Sequence, residues 1–223
     1  MERPRMFLIS AACLCVYGIL YLAATDLQQG EAKPLAGNET DRFALLAFKG
    51  QMADGPAGAL SSWNDTIHFC QWEGIKCSAS NQRVTIINLQ SKRLAGSLSP
   101  SLGNLSLLQE LNLGGNDLYG DIPPELGKLT GMRILNLTSN SFDGRISGNL
   151  SSCRELRHLD LGDNMLVGEI PAELTSLPKL RVLYLLVNNL TGSIPPSIGN
   201  LSSLTRLAMG RNNLVGASPT ESA

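Results

Sequence analysis

Asn116, Asn140, Asn164, Asn188 and Asn212 recur at intervals of 24 residues, each inside the same frame of leucines. The segments beginning at Leu108, Met132, Leu156, Leu180 and Leu204 read Leu-x-x-Leu-x-Leu-x-x-Asn-x-Leu-x-Gly, with Met132, Phe142 and Met209 as apolar substitutes. A fixed period of this length means a solenoid, in which each repeat is one coil that buries its apolar face only against its neighbours. An earlier copy keeps Val84, Ile87, Leu89, Leu94 and Gly96 but carries Lys92 in place of the asparagine. The count is therefore six coils over 83–216, the first atypical.

Each position has a physical task. In Leu111-x-Leu113 the alternation buries two leucines and turns Asn112 outward, the signature of a short strand, and successive coils stack such strands in parallel. Asn116 ends the strand, where its amide can pair with backbone groups left open as the chain turns inward. The five asparagines are thus expected to form a ladder. Gly120 suits a backbone site needing positive φ or close approach to the next coil. Ile122-Pro123 then returns the chain in extended form, and Leu126 and Leu129 close the coil.

The stretch Leu118-x-Gly120-x-Ile122-Pro123-x-x-Leu126-Gly127-x-Leu129, recurring at 166–177 and 190–201, resembles the plant-type leucine-rich repeat. Residues 38–216 as a whole resemble the ectodomains of plant leucine-rich-repeat receptor-like kinases. Departures occur at Ser99, Ser147 and Ser218, where the pattern has proline or a buried isoleucine. Over 38–82, Asn38-Glu39-Thr40-Asp41-Arg42, Leu60-Ser61-Ser62-Trp63-Asn64 and Cys70-x-Trp72-x-Gly74-Ile75-x-Cys77 resemble the amino-terminal cap of that family. Such a cap would cover the unpaired edge of the first coil. Thr40 and Asp41 suit the start of a helix in it, with Phe43, Leu46, Ala47 and Gly50 on one face. The fold class implied is α/β: a right-handed leucine-rich-repeat solenoid with a parallel inner sheet and a helical, disulfide-bonded cap.

Arg3 and Arg5 followed by an uncharged run from Met6 to Ala24 read as a signal peptide or signal anchor over 1–24. A linker follows over 25–37 and a polar tail over 217–223. In an exported chain Cys70 and Cys77, beside Trp63 and Trp72, read as a disulfide. Cys153 falls on a core leucine position and reads as a buried, inert thiol. Asn-x-Ser/Thr sequons stand at Asn38, Asn64, Asn104, Asn136, Asn149, Asn189 and Asn200, fitting a secreted glycoprotein of the secretory pathway or outer cell surface. Asn136 projects from the middle of the inner sheet, so a glycan there would block that column.

The outward residues of the inner strands form three columns. The first holds Ile86, Glu110, Ile134, His158, Val182 and Arg206; the second Asn88, Asn112, Asn136, Asp160, Tyr184 and Ala208; the third Gln90, Gly114, Thr138, Gly162, Leu186 and Gly210. In coil five Val182, Tyr184, Leu186 and Val187 are expected to face water together, and an exposed apolar cluster marks an interaction surface. With His158, Asp160 and Arg206 they make the candidate binding surface. Six strands at about 4.8 Å spacing and about 15 Å length give a flat face near 360 Å², under half of the roughly 800 Å² per partner of a stable interface.

His158, Asp160 and Asp163 share a patch, but polar residues are what an exposed strand needs, and no dry pocket is implied that would tune them for catalysis. The cysteine and histidine spacing lacks a complete zinc set. No phosphate-binding loop, nucleophile elbow or kinase motif occurs. The net charge of −1 offers no basic patch that would argue for nucleic acid. The sequence thus points to no enzyme, cofactor or metal. The resemblance implies an extracellular recognition module without its kinase, truncated, whose partner is a peptide ligand or another leucine-rich-repeat receptor. Contact with a membrane would come only through a signal anchor or a downstream span. Polygalacturonase-inhibiting proteins, secreted inhibitors of cell-wall hydrolases, are the alternative resemblance, and a non-functional gene fragment a third reading.

Overall fold

The computed structural model describes residues 37–53 and 58–216; the readings made for 1–24, for all but the last residue of the linker at 25–37 and for the tail at 217–223 lie outside the described residues, and Gly37 already belongs to a helix. Six parallel strands, Val84–Asn88, Glu110–Asn112, Ile134–Asn136, His158–Asp160, Val182–Tyr184 and Arg206–Ala208, pair in chain order. Each residue faces the one 24 positions further on, as in Leu135 opposite Leu159 and Asn136 opposite Asp160. The cap adds a seventh strand, Ile75–Cys77, antiparallel to Val84–Asn88. Alternation does the sorting: the central Leu111, Leu135, Leu159 and Leu183 are wholly buried, while their sequence neighbours face out.

On the opposite side each of the first five coils returns through a short 3-10 helix: Pro100–Asn104, Pro124–Lys128, Gly148–Ser152, Ala172–Ser176 and Pro196–Asn200. The leucine pattern alone did not announce these turns. Ser99 and Ser147, which stand where the pattern has proline, each cap one, the hydroxyl oxygen accepting from Ser101 N–H and Asn149 N–H respectively. Between strand and 3-10 helix the chain forms further short strands, ordered Met52–Ala53, Ala95–Gly96, Asp117–Gly120, Ser141–Phe142, with Val167–Gly168 paired to Asn189–Leu190. Gly120 takes φ +79° with nothing closer to a Cβ than 3.9 Å, so conformation rather than crowding selects it. Gly96 is the reverse case, since a Cβ there would lie 2.1 Å from the Gln51 carbonyl oxygen where the cap meets the first coil.

The asparagine side chains tie coil to coil. Asn164 Nδ2 donates to Leu161 and Gly162 carbonyls of its own coil and to Leu137 of the coil before, while its Oδ1 accepts from Phe142 N–H. Asn116, Asn140, Asn188 and Asn212 repeat the pattern one coil apart, each reaching a carbonyl 27 residues upstream. A leucine in that place would leave those groups unpaired in the interior. Lys92 stands where the ladder has no upstream coil to bond, and its Nζ pairs instead with Glu73 of the cap.

The cap is built on aromatic contacts and one buried ion pair. Trp63 stacks on Trp72 with centroids 5.3 Å apart, Phe48 lies 5.9 Å from Trp63, and both indole N–H groups donate to backbone carbonyls. Cys70 and Cys77 form a disulfide that joins the aromatic turn to the seventh strand. The helix spans Gly37–Lys49, and its docked face is Asp41, Ala44, Leu45 and Phe48. This corrects the face read from sequence: Phe43 is half exposed beneath the Arg42 guanidinium and Ala47 and Gly50 are exposed, while Leu46, of that face, packs half-buried against the core. Asp41 sets the rotation, for its carboxylate accepts from Arg83 Nε and Nη2 at 2.9 Å and from Val84 N–H at 2.8 Å. A polar residue, invisible to an apolar count, therefore fixes how the helix sits.

Candidate functional site

The strand register places the outward residues in the columns expected of them: Ile86, Glu110, Ile134, His158, Val182 and Arg206 in one row, and Asn88, Asn112, Asn136, Asp160, Tyr184 and Ala208 in the next. Through coils one to three the middle column is amide, and Asn112 Nδ2 donates to Gln90 Oε1. Beyond Asn136 the surface changes character. Asp160 Oδ1 accepts from Gly162 N–H, and His158 meets the Tyr184 ring edge to face with centroids 6.1 Å apart.

Leu186 is exposed, whereas Val182, Tyr184 and Val187 are half-buried. Leu186 lies over Gly162, whose missing side chain makes the room: a Cβ there would fall 2.9 Å from Leu186 Cδ2. Every coil places one residue in the left-handed region just before the ladder position: Ser91, Gly115, Ser139, Asp163, Val187 and Arg211. Val187 is the β-branched exception at φ +53°, a conformation that crowds its Cβ against the following carbonyl. An apolar group is thus held by strain at the rim of the apolar cluster.

Residues 38–78 match the leucine rich repeat N-terminal domain, and residues 107–129, 155–177 and 179–201 match the leucine rich repeat. The solved complex of BIR3 and SERK2 from Arabidopsis thaliana superposes with a TM-score of 0.69 at 34% identity, over 78% of this chain and 94% of that one. The chain belongs to the leucine-rich-repeat family. The structure of PEPR1 with AtPEP1 matches with a TM-score of 0.71 at 36% identity, over 81% of this chain and 29% of that one. The LRR receptor-like serine/threonine-protein kinase EFR of Arabidopsis thaliana is 44% identical over 93 residues. That stretch spans 41% of this chain but 9% of the kinase's own length.

Among the sequons of this leucine-rich-repeat chain, Asn104, Asn149, Asn189 and Asn200 are exposed and Asn38, Asn64 and Asn136 half-buried. Asn104, Asn149 and Asn200 lie on the 3-10 helices, away from the inner sheet. Asn136 Oδ1 accepts from Thr138 N–H within the sheet. Cys153 is buried, its thiol donates to the Leu126 carbonyl, and burial pushes its pKa up to about 11. Among the described residues no group of three potential metal ligands gathers, and no helix is long and apolar enough to cross a membrane.

One feature escaped linear charge counting. Arg133, Arg157 and Arg181 occupy the same place in three successive leucine-rich repeats and stack beside the entry to the inner strands, Arg157 N–H bonding Arg133 O and Arg181 N–H bonding Arg157 O, both at 2.8 Å. With a net charge of −1 spread along the chain, only the 24-residue register brings these cations together.

Proposed function

We propose that this leucine-rich-repeat chain is an extracellular recognition module that binds a peptide, or the ectodomain of another receptor, across the inner face of coils four to six. The observation that carries the reading is the cluster of Tyr184, Leu186 and strained Val187 beside His158 on a rigid sheet. Aromatic and aliphatic anchors held by the fold lose little freedom on binding and dominate interface energies. The solved relatives lend support, PEPR1 having been captured with AtPEP1 and BIR3 with SERK2. Glycans on Asn104, Asn149 and Asn200 would leave this face open, and one on Asn136 would close the middle column and direct the partner toward Tyr184. Export places the disulfide and the sequons in the compartment that forms them. No catalytic role is assigned to His158, Asp160 or Asp163.

The test is selection of a displayed random peptide library on the secreted chain, followed by binding to Tyr184→Ala and Leu186→Ala. Selected peptides should lose on the order of tenfold or more in affinity on either variant, as truncation of a central anchor does. Peptides that bind both variants as tightly as the parent would place recognition elsewhere and end this reading.

A further inference from the structure

The short strands that follow the asparagine ladder carry an apolar patch of their own. On the fourth coil Met165 and Val167 are 46% and 39% exposed, with Leu166 wholly buried between them, so the pair faces outward from one extended stretch. Val167 bridges Arg145 on the third-coil side and pairs with Asn189 on the fifth-coil side. Partners on adjacent strands lie about 4.8 Å apart and point the same way, which sets the Asn189 side chain beside Val167. Asn189 N–H also donates to the Leu166 carbonyl at 2.9 Å, fixing the fifth coil against the middle of the patch.

Asn189 opens the sequon Asn189-Leu190-Thr191. Its neighbour Asn188 is buried and spends its amide on the carbonyls of Leu161, Leu185 and Leu186. Asn189 points the other way, is exposed, and among the described residues its side chain makes no hydrogen bond. A substituent on its Nδ2 therefore displaces nothing. The sequons at Asn104, Asn149 and Asn200 have different surroundings: they lie on the 3-10 helices, where Asn149 is flanked by Glu125, Lys128 and Ser152.

We propose that Asn189 carries an N-linked glycan whose first N-acetylglucosamine seats on Met165 and Val167, so that the chain covers its own patch. The modification bonds Asn189 Nδ2 to the anomeric carbon of the sugar and breaks the bond from that carbon to the diphosphate of a lipid-linked oligosaccharide donor. The lipid diphosphate leaves, one amide proton is lost, and Nδ2 keeps the other. A β-linked N-acetylglucosamine has its ring substituents equatorial, so the faces of the ring are C–H and pack on apolar side chains. Size selects this occupant over a protein partner. Two side chains fall far short of the roughly 800 Å² that a stable protein interface uses on each side, but they match the face of one sugar ring. The inference rests on export of the chain, which the proposed function also needs, and not on the cluster around Tyr184.

The experiment takes the full chain, secreted from cells that build only high-mannose glycans, through glycopeptide mass spectrometry. The folded protein is then divided into an untreated sample, one trimmed by an endoglycosidase to a single N-acetylglucosamine at each site, and one stripped by an amidase. Each is exposed to dilute hydrogen peroxide, and sulfoxide is read methionine by methionine. Met165 should oxidise severalfold faster in the stripped sample than in the other two. Met132, wholly buried, should stay slow in all three and report an intact fold. N189Q and T191A should match the stripped sample at Met165, and Tyr184→Ala should leave Met165 protected. A secreted chain bearing sugar at Asn104 or Asn200 but none at Asn189 would end this inference and leave export standing. A chain held in the cytosol without sugar would end both. Equal Met165 oxidation in the three samples, or protection already lost on trimming to one sugar, would overturn the seat on Met165 and Val167.

Discussion

The first and the sixth coils are held by different physics. At the first coil, Ile75–Cys77 covers the sheet edge, the Cys70–Cys77 disulfide fixes that strand, and Asp41 grips Arg83 across the junction. At the sixth, Arg206–Ala208 pairs on one side only among the described residues, and Leu207 is 42% exposed where Leu111, Leu135, Leu159 and Leu183 are each at 0%. Met209 and Leu214 are half-buried rather than open. The repeat supplies its own neighbours in the middle, but at an end it needs residues that do not repeat. Stability should therefore fall along the chain from cap to last coil, since each coil is held by its contacts with the next.

The largest test breaks the held end. Asp41 is wholly buried, and Asp41→Ala would leave the Val84 N–H without its acceptor and take the carboxylate from the half-buried Arg83 guanidinium, which would keep only the Ser106 hydroxyl. A loss of about 3–5 kcal/mol in urea unfolding is expected, as when one partner of a buried pair is removed. Asp41→Ala/Arg83→Met should recover part of it, because the uncompensated charge is gone. If the single substitution cost less than about 1 kcal/mol, the junction would not be what holds the cap.

Next comes one substitution made at both places in the gradient. Leu183→Ala removes a wholly buried side chain packed between two coils and should cost about 2–5 kcal/mol, transfer and cavity terms together. Leu207→Ala acts on the equivalent, partly solvated leucine and should cost less than about half as much, since no closed cavity forms. Equal losses in matched urea melts would mean that the last coil is as well packed as the fifth, contrary to the exposure of Leu207.

The interior of this molecule was readable in its letters because one rule repeats: the register of Leu111, Leu135, Leu159 and Leu183 and the asparagine ladder follow from counting in steps of 24. The non-repeating parts resisted. Apolar spacing put Phe43, Leu46, Ala47 and Gly50 inward, whereas a charge–charge contact between residues 42 positions apart turned the helix to bury Asp41, Ala44, Leu45 and Phe48, leaving only Leu46 of the expected face half-buried. The strand that covers the first coil and the serine caps at Ser99 and Ser147 are likewise local solutions that occur once or twice. The columns of the candidate face were legible, but the strain at Val187 was not, since no residue code states its own φ. The arginine row lay in plain view yet dispersed, its members becoming neighbours only once the coils are wound.

The smallest effect probes the sixth-coil side through that strained residue. Val187 N–H donates to the Gly210 carbonyl and Asn188 N–H to Arg211 O, so the last coil holds the left-handed turn of the fifth. Val187→Asn keeps the backbone where it is and replaces a β-branched side chain with one that tolerates positive φ. A gain of about 1 kcal/mol is expected, the order of the strain relieved. It should appear as slower amide exchange across residues 180–212 and leave the cap at 38–90 unaltered, because in a stack of coils a local change is felt mainly by neighbours. Asp163→Asn, at the same place one coil earlier and already suited to the turn, should change exchange little. Protection that rose at the cap instead, or equally in both variants, would show that the strain at Val187 is not what loosens this end.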